Sequence, residues 1–217
     1  MSPVSTTKTK VCETPTAKQR RVWDKSAPGY DKQISFFEKI WFAGGREWIG
    51  SRATGQVLEV AIGTGRNLAF YPHDVGITGV DLSPVMLDIA RQRATDLGID
   101  VELIEGDAEA LAFDDNSFDT VVCALSLCSI PNPARAIGEM VRVLKPEGRL
   151  LLLDHIGSTW PHVYAAQWLL ERLTIRAAGE YFTRRQLPLV QAAGLDVIES
   201  ERLKAGSIER IHATKPH

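Results

Sequence analysis

The chain has 217 residues, 44% of them hydrophobic, enough for one substantial core; at roughly 100–200 residues per domain this argues for one domain with additions. Its formal net charge is −2, with Lys and Arg scattered along the chain, so it offers no basic footprint for nucleic acid or an anionic membrane, and a small molecule is the expected partner. Three cysteines, Cys12, Cys123 and Cys128, make neither an even disulfide framework nor a CxxC pair, which points to a reducing, cytoplasmic setting and gives no zinc-ligand spacing, so no metal is expected.

Residues 1–16, rich in Ser, Thr, Lys and Pro, bury too little to offset their own ordering and read as a disordered tail without an apolar signal core. Residues 17–217 then form a single domain. Within it, residues 20–51 carry Trp23, Tyr30, Phe36, Phe37, Trp41, Phe42 and Trp48, broken by Gly44-Gly45, and predict two short helices that act as a lid. No stretch approaches the roughly 18 apolar residues that span a bilayer, and membrane contact is not expected.

Beyond this segment the chain alternates. Apolar runs of strand length at Val57 to Ala61, Ile77 to Asp81, Val101 to Glu105, Thr120 to Leu125 and Leu150 to Asp154 fit strands buried on both faces of a parallel sheet. Ser83-Pro84 supplies an N-cap and a first-turn proline for a helix with Met86, Ile89, Ala90, Ala94 and Leu97 on one face and Gly98 at its end. Asn132-Pro133 repeats the device, and Lys145-Pro146-Glu147-Gly148 stops that second helix. This is the grammar of βαβ units.

The C-terminal third changes character. Residues 156–193 read as a helical insertion on the acceptor side: Val163 to Ala178 as one helix, then Thr183-x-x-Gln186 as a capping box for another that Gly194 closes. Leu195 to Leu203 and Ile208 to Thr214, joined around Ala205-Gly206, have the spacing of an antiparallel hairpin.

The stretch VLEVAIGTGRNL, Val57 to Leu68, follows the first strand with a glycine turn. A dinucleotide loop needs G-x-G-x-x-G, but with Gly63 first the third place is Leu68, and with Ala61 first a glycine is missing and the third place is Arg66. A P-loop fails as well, because no Lys-Ser or Lys-Thr follows. A nicotinamide-dependent dehydrogenase is therefore disfavoured. Asp81, ending the second strand in GVDLS, can accept both hydroxyls of a ribose and would repel a 2′-phosphate. Asp107, in EGDAEAL, sits where a loop could meet an adenine amino group. The set describes an adenosine ligand without required phosphates.

In order and spacing over roughly residues 20 to 155, VLEVAIGTGRNL, GVDLSPVMLDIAR, EGDAEAL, FDDNSFDTVVCALSLCSIPNP and RVLKPEGRLLLLDH resemble the successive motifs of class I S-adenosylmethionine (SAM)-dependent methyltransferases. The branch most resembled holds ubiquinone/menaquinone methyltransferases, bacterial phospholipid N-methyltransferases and methyltransferase-like thiol S-methyltransferases; VVCALSLCSIPNP, LLLLDH and GEYFTRRQ are most similar to the thiol-methylating group. The resemblance implies an α/β, Rossmann-like fold: a mostly parallel seven-stranded sheet flanked by helices, with a C-terminal antiparallel hairpin and an N-terminal helical lid. It implies SAM as cofactor, S-adenosyl-L-homocysteine as product and a small-molecule acceptor. By position, Glu59, Gly63, Gly65 and Asn67 would shape the methionine half of the pocket, Asp81 would hold the ribose, Leu82 and Met86 would flank the adenine, and Asp107 and Ala108 would read its edge. Leu125 would face the methionine ammonium and sulfonium. Ala61 stands where many relatives have glycine, which the loop tolerates if its φ stays negative.

Methyl transfer from a sulfonium is an in-line displacement, so the main task is to hold the reactants in line in a dry site. A thiol acceptor, partly ionised near neutrality, needs less help from a base than an alcohol. His155, just beyond the fifth strand, is the candidate base or acceptor-orienting group, with a strand-capping role as the alternative. Tyr30 is a candidate to close over the sulfonium by a cation–π contact, or to pack in the core. Cys123 reads as a small buried hydrophobe, and Cys128, in the loop after the fourth strand, could meet a soft metalloid such as arsenic. The expected activity is S-methylation of a small thiol; the alternatives are N-methylation of an amine or phospholipid head group, C-methylation of a quinol precursor, and a non-catalytic SAM-binding protein.

Overall fold

A computed structural model describes residues 13–42, 44–177 and 179–217. Most of the expected tail, residues 1–12, lies outside the described residues, but its last part is helical. Helix α1 runs Pro15–Trp41, with Thr14 as N-cap accepting from the Ala17 amide at 3.2 Å. The expectation of two short helices is thus corrected: α1 has 27 residues, and only α2, Gly45–Gly50, is short. Pro28 removes one amide donor inside α1 without ending it. Gly44, at φ 75°, makes the break that the glycine pair led one to expect.

After α2 come β1 (Gln56–Val60), β2 (Gly76–Asp81), α3 (Pro84–Leu97), β3 (Glu102–Glu105), β4 (Phe118–Ala124), α4 (Pro133–Val143) and β5 (Leu144–His155). Helices α5 (Pro161–Ala177) and α6 (Leu187–Ala192) precede β6 (Asp196–Leu203) and β7 (Ile208–Thr214). The Ser83 and Asn132 hydroxyl and amide oxygens cap α3 and α4 by accepting from Met86 and Arg135, each at 3.1 Å. β5 starts directly at the end of α4, six residues earlier than the apolar run shows, because its first residues pair at Leu144 with Phe118 across a register shift. The capping box at Thr183 is also corrected: its amide and hydroxyl both donate to Glu171 on α5, at 2.7 and 2.8 Å, and α6 starts after Gln186 without a side-chain cap.

The seven strands lie in the order β3-β2-β1-β4-β5-β7-β6. β1 to β5 pair in parallel, while β7 runs antiparallel to both β5 and β6. Successive side chains of a strand face opposite sides, so the apolar runs feed two cores. Leu58, Val60, Val121 and Leu150 pack with Ile137 and Met140 of α4, whereas Val57, Val122 and Leu151 pack with Ile49 of α2 and Leu87 of α3. The order in which strands are added to the sheet switches sides between β1 and β4, which stay parallel, and such a switch opens a crevice at the carboxyl ends of the two strands.

Candidate active site

A crevice at this switch holds about 870 Å³ of empty space, counting its opening to solvent. Its floor is made at the carboxyl ends of the central strands: Glu59 in β1 and Ala61 just after it, Asp81 at the end of β2 and Leu82 after it, and Leu125 after β4. Gly63 comes from the glycine turn, Met86 from α3, and Asp107 and Ala108 from the loop after β3. Thus nearly all the residues that the sequence assigned to an adenosyl ligand come together on one wall.

The glycine turn and the acid are joined. The Gly63 amide donates to Asp81 Oδ2 at 2.7 Å and the Ser83 amide to Oδ1 at 2.8 Å, which fixes the carboxylate while leaving each oxygen a further lone pair. Asp81 is 8% exposed, and burial pushes its pKa up to about 6 against the pull of those amides. A Cβ on Gly63, at φ 57°, would meet nothing within 4 Å, so bare backbone borders the crevice. Gly65 differs: a Cβ there would press on Leu68 and Ala90, and its role is to let the turn pack on α3.

Asn67 also works behind the wall. Fully buried, its amide donates to Glu59 Oε1 at 2.6 Å, Tyr71 donates to Oε2 at 2.8 Å, and Arg46 donates to the Asn67 oxygen at 2.6 Å. Burial raises the Glu59 pKa to about 7. Arg46 and Arg66 border the crevice, but both are paired with Glu38 and leave no uncompensated clamp for a pyrophosphate.

Ala61 does not keep a negative φ. It sits at 56°, and Leu125, across the switch at the end of β4, has the same φ of 56°. Two side-chain-bearing residues in the left-handed region, each costing on the order of 1–2 kcal/mol, therefore form opposite lips of the crevice. Ser126, next to Leu125, donates to the Ala61 carbonyl at 3.4 Å.

α1 covers the opening by polar pins. Ser83 donates to Asp24 at 2.6 Å, Thr64 donates to Asp31 at 2.7 Å, and Gln19 donates to the Ser129 carbonyl in the loop after β4. Trp23 and Tyr30 line the crevice from this helix, with ring centroids 6.0 Å apart and nearly perpendicular. Burial raises the Tyr30 phenol well above its ordinary value, so it stays neutral. Gln19 is 5% exposed, and among the described residues its Oε1 has no hydrogen-bond partner. Sequence reading missed Gln19 and Arg46, since an isolated polar residue beside a tail or a glycine pair carries no local signature.

His155 is not among the residues that border the crevice. Its ring stacks on Phe182 with centroids 4.7 Å apart, and Nε2 lies 3.9 Å from Asp154. Helix α5 holds Trp168 and Leu173 exposed to solvent and is tied back through Gln167, which accepts from the Ser158 amide and donates to the Ile156 carbonyl. Among the described residues, no helix is long and apolar enough to cross a membrane.

An adenosyl sulfonium fits this set of groups: a fixed carboxylate for two hydroxyls, bare backbone at Gly63, apolar Leu82 and Met86, and an unpartnered Gln19 oxygen. Comparison with known proteins agrees. A family profile described as a methyltransferase domain matches residues 58–152. The phosphatidylethanolamine N-methyltransferase of Cereibacter sphaeroides is 41% identical over 105 residues, covering 48% of this chain and 52% of that protein. The ubiquinone/menaquinone biosynthesis C-methyltransferase of Pseudomonas fluorescens is 40% identical over 122 residues, covering 54% and 48%. The chain thus aligns with about half the length of these curated relatives. In fold, it is similar to an SAM-dependent methyltransferase from Thermotoga maritima, with a TM-score of 0.70 at 21% identity, covering 90% of this chain and 99% of that one. Residues 58–152 thus match the methyltransferase-domain profile, and the fold is the Rossmann-like one that the SAM-dependent methyltransferase of Thermotoga maritima has.

Proposed function

We propose that the protein transfers a methyl group from SAM to the sulfur of a small-molecule thiol. When bound, SAM supplies an electrophilic methyl on a sulfonium whose departure needs no proton. The residues of the crevice hold and shield. Asp81 accepts the ribose hydroxyls, Gly63 presents backbone, the Glu59–Asn67–Arg46 network stiffens the wall behind the glycine turn, and Trp23 and Tyr30 exclude water from above.

The observation that carries the sulfur reading is that the three crevice carboxyls are all engaged: Glu59 with Asn67 and Tyr71, Asp81 with Gly63 and Ser83, and Asp107 with the Glu109 amide. Each already serves the wall as a hydrogen-bond acceptor. A thiol with a pKa near 8.5 reaches its nucleophilic form with little help, whereas an alcohol does not. An amine acceptor is the second reading, favoured by the 41% identity to an N-methyltransferase.

Turnover with methyl-labelled SAM over matched panels of thiols, amines and quinols tests this. The proposal expects label in thioether product and little in the other panels. Label confined to amines or quinols overturns the choice of sulfur, and tight SAM binding without label in any panel overturns the enzyme reading.

A further inference from the structure

We propose that Cys128, Asp154 and His155 form a three-ligand site for a thiophilic divalent cation of the zinc class, behind the loop that borders the crevice. Each residue offers one ligand atom, and the three atoms lie within 4.8 Å of one another. They come from two neighbouring strands: Cys128 from the loop leaving β4, and Asp154 and His155 from the end of β5, where Ala124 pairs with Leu153. No local sequence spacing announces the site, because 26 residues separate Cys128 from Asp154.

Geometry and chemistry agree. A tetrahedral zinc with bonds of about 2.0–2.3 Å sets its ligand atoms roughly 3.3–3.7 Å apart, so the cluster closes by about 1 Å, within reach of side-chain rotation. Thiolate, carboxylate and imidazole are the borderline-soft mixture that such a cation prefers. Cys128 and Asp154 are 3% and 2% exposed, shielded from competing water. The His155 Nε2 atom lies 3.9 Å from Asp154, and Nδ1 is buried with no hydrogen-bond partner among the described residues.

The surroundings hold the ligands in place. Asp154 accepts from the Cys128 amide at 3.0 Å and from the His155 amide at 2.8 Å, so one carboxylate ties together the backbones of the other two ligands and still has lone pairs for a metal. The Cys128 carbonyl accepts from the Tyr181 amide at 3.0 Å, and Phe182 stacks on the imidazole. Three protein ligands leave a fourth position for an exchangeable group. That an acceptor thiolate takes this place rests on the S-methylation reading; the site itself does not.

The test uses the full chain, freed of metal by a chelator and titrated with Co²⁺ alone, without SAM or acceptor. One equivalent is expected to give visible bands of tetrahedral intensity with a near-ultraviolet thiolate-to-cobalt band, both abolished by Zn²⁺. Cys128→Ser should remove the thiolate band and weaken binding by about a hundredfold, His155→Ala should weaken binding at least about tenfold, and Cys12→Ser should change nothing. Absence of a thiolate band in the wild-type protein overturns the site, as does its loss in Cys12→Ser or its persistence in Cys128→Ser. Since the wild-type and Cys12→Ser titrations decide without Cys128→Ser, a folding defect in that variant does not shelter the proposal. A thiol panel without turnover, alongside intact cobalt binding, would sink the acceptor reading and leave the metal site standing.

Discussion

The amide of Gly63 donates to Oδ2 of Asp81 at 2.7 Å, so the glycine turn after β1 and the acid that ends β2 behave as one unit. Gly63→Ala disturbs both the turn and the surface it presents. Its φ of 57° places an alanine in the left-handed region, at a cost on the order of 1 kcal/mol, and the new methyl projects into the open crevice. Thermal unfolding should fall by a few degrees and SAM affinity by tenfold or more; a variant that binds as the wild type would remove Gly63 from the ligand's border.

Ala61→Gly should act in the opposite sense on stability. With φ at 56°, the alanine is strained where glycine is not, and the replacement is expected to gain about 1 kcal/mol, or roughly 2–4 °C in Tm for a chain of this size. Calorimetric unfolding checks it. A lowered Tm would mean that the Ala61 methyl packs more favourably than its backbone suffers.

Glu59 makes the ligand-free protein sensitive to pH. Burial lifts its pKa to about 7 from an ordinary 4.5, so the native state holds this proton more tightly than the unfolded chain. The associated stability is fully present below pH 4.5 and is lost as pH rises through 7, by an amount on the order of 3 kcal/mol. Asp81, lifted to about 6 from 3.8, acts in the same direction over a lower window. In denaturant unfolding at pH 5 and pH 8, the stability of wild type relative to Glu59→Gln should fall at the higher pH. A difference that does not change with pH contradicts a buried, proton-binding Glu59.

The sequence announced the crevice far better than its cover. Strand ends carry their own signals, because an apolar run closing in Asp81 or before a glycine turn places the polar residue at the sheet's carboxyl edge, and this edge is where the switch between β1 and β4 opens. The caps at Ser83 and Asn132 were equally legible, being bonds to amides three residues away. α1 was not: its 27-residue length before the expected break at Gly44 goes with long-range pins such as Asp24 to Ser83 and Asp31 to Thr64, 59 and 33 residues apart, which local composition does not announce. Thr183 failed for the same reason, its capping group having found Glu171 on α5. The φ of Ala61, on which the tolerance of its methyl was made to depend, was not legible, because a residue's backbone angle at the end of a strand is set by the turn after it, not by its own type.

His155 stands outside the crevice border, stacked on Phe182, yet next to the loop from β4 that forms one side of it. If it orients the acceptor, His155→Ala should lower turnover at least about tenfold while SAM binding is unchanged. Wild-type turnover would return the ring to a packing role at the strand end.

Calorimetric titration with SAM, on the wild-type protein and on Asp81→Ala, tests most directly that this crevice holds an adenosyl sulfonium. Loss of two hydroxyl contacts to an ionised group should weaken binding by about 2–4 kcal/mol, with the variant still folded by circular dichroism. Equal affinity in the two proteins, or no binding of SAM by the wild type, would contradict the account.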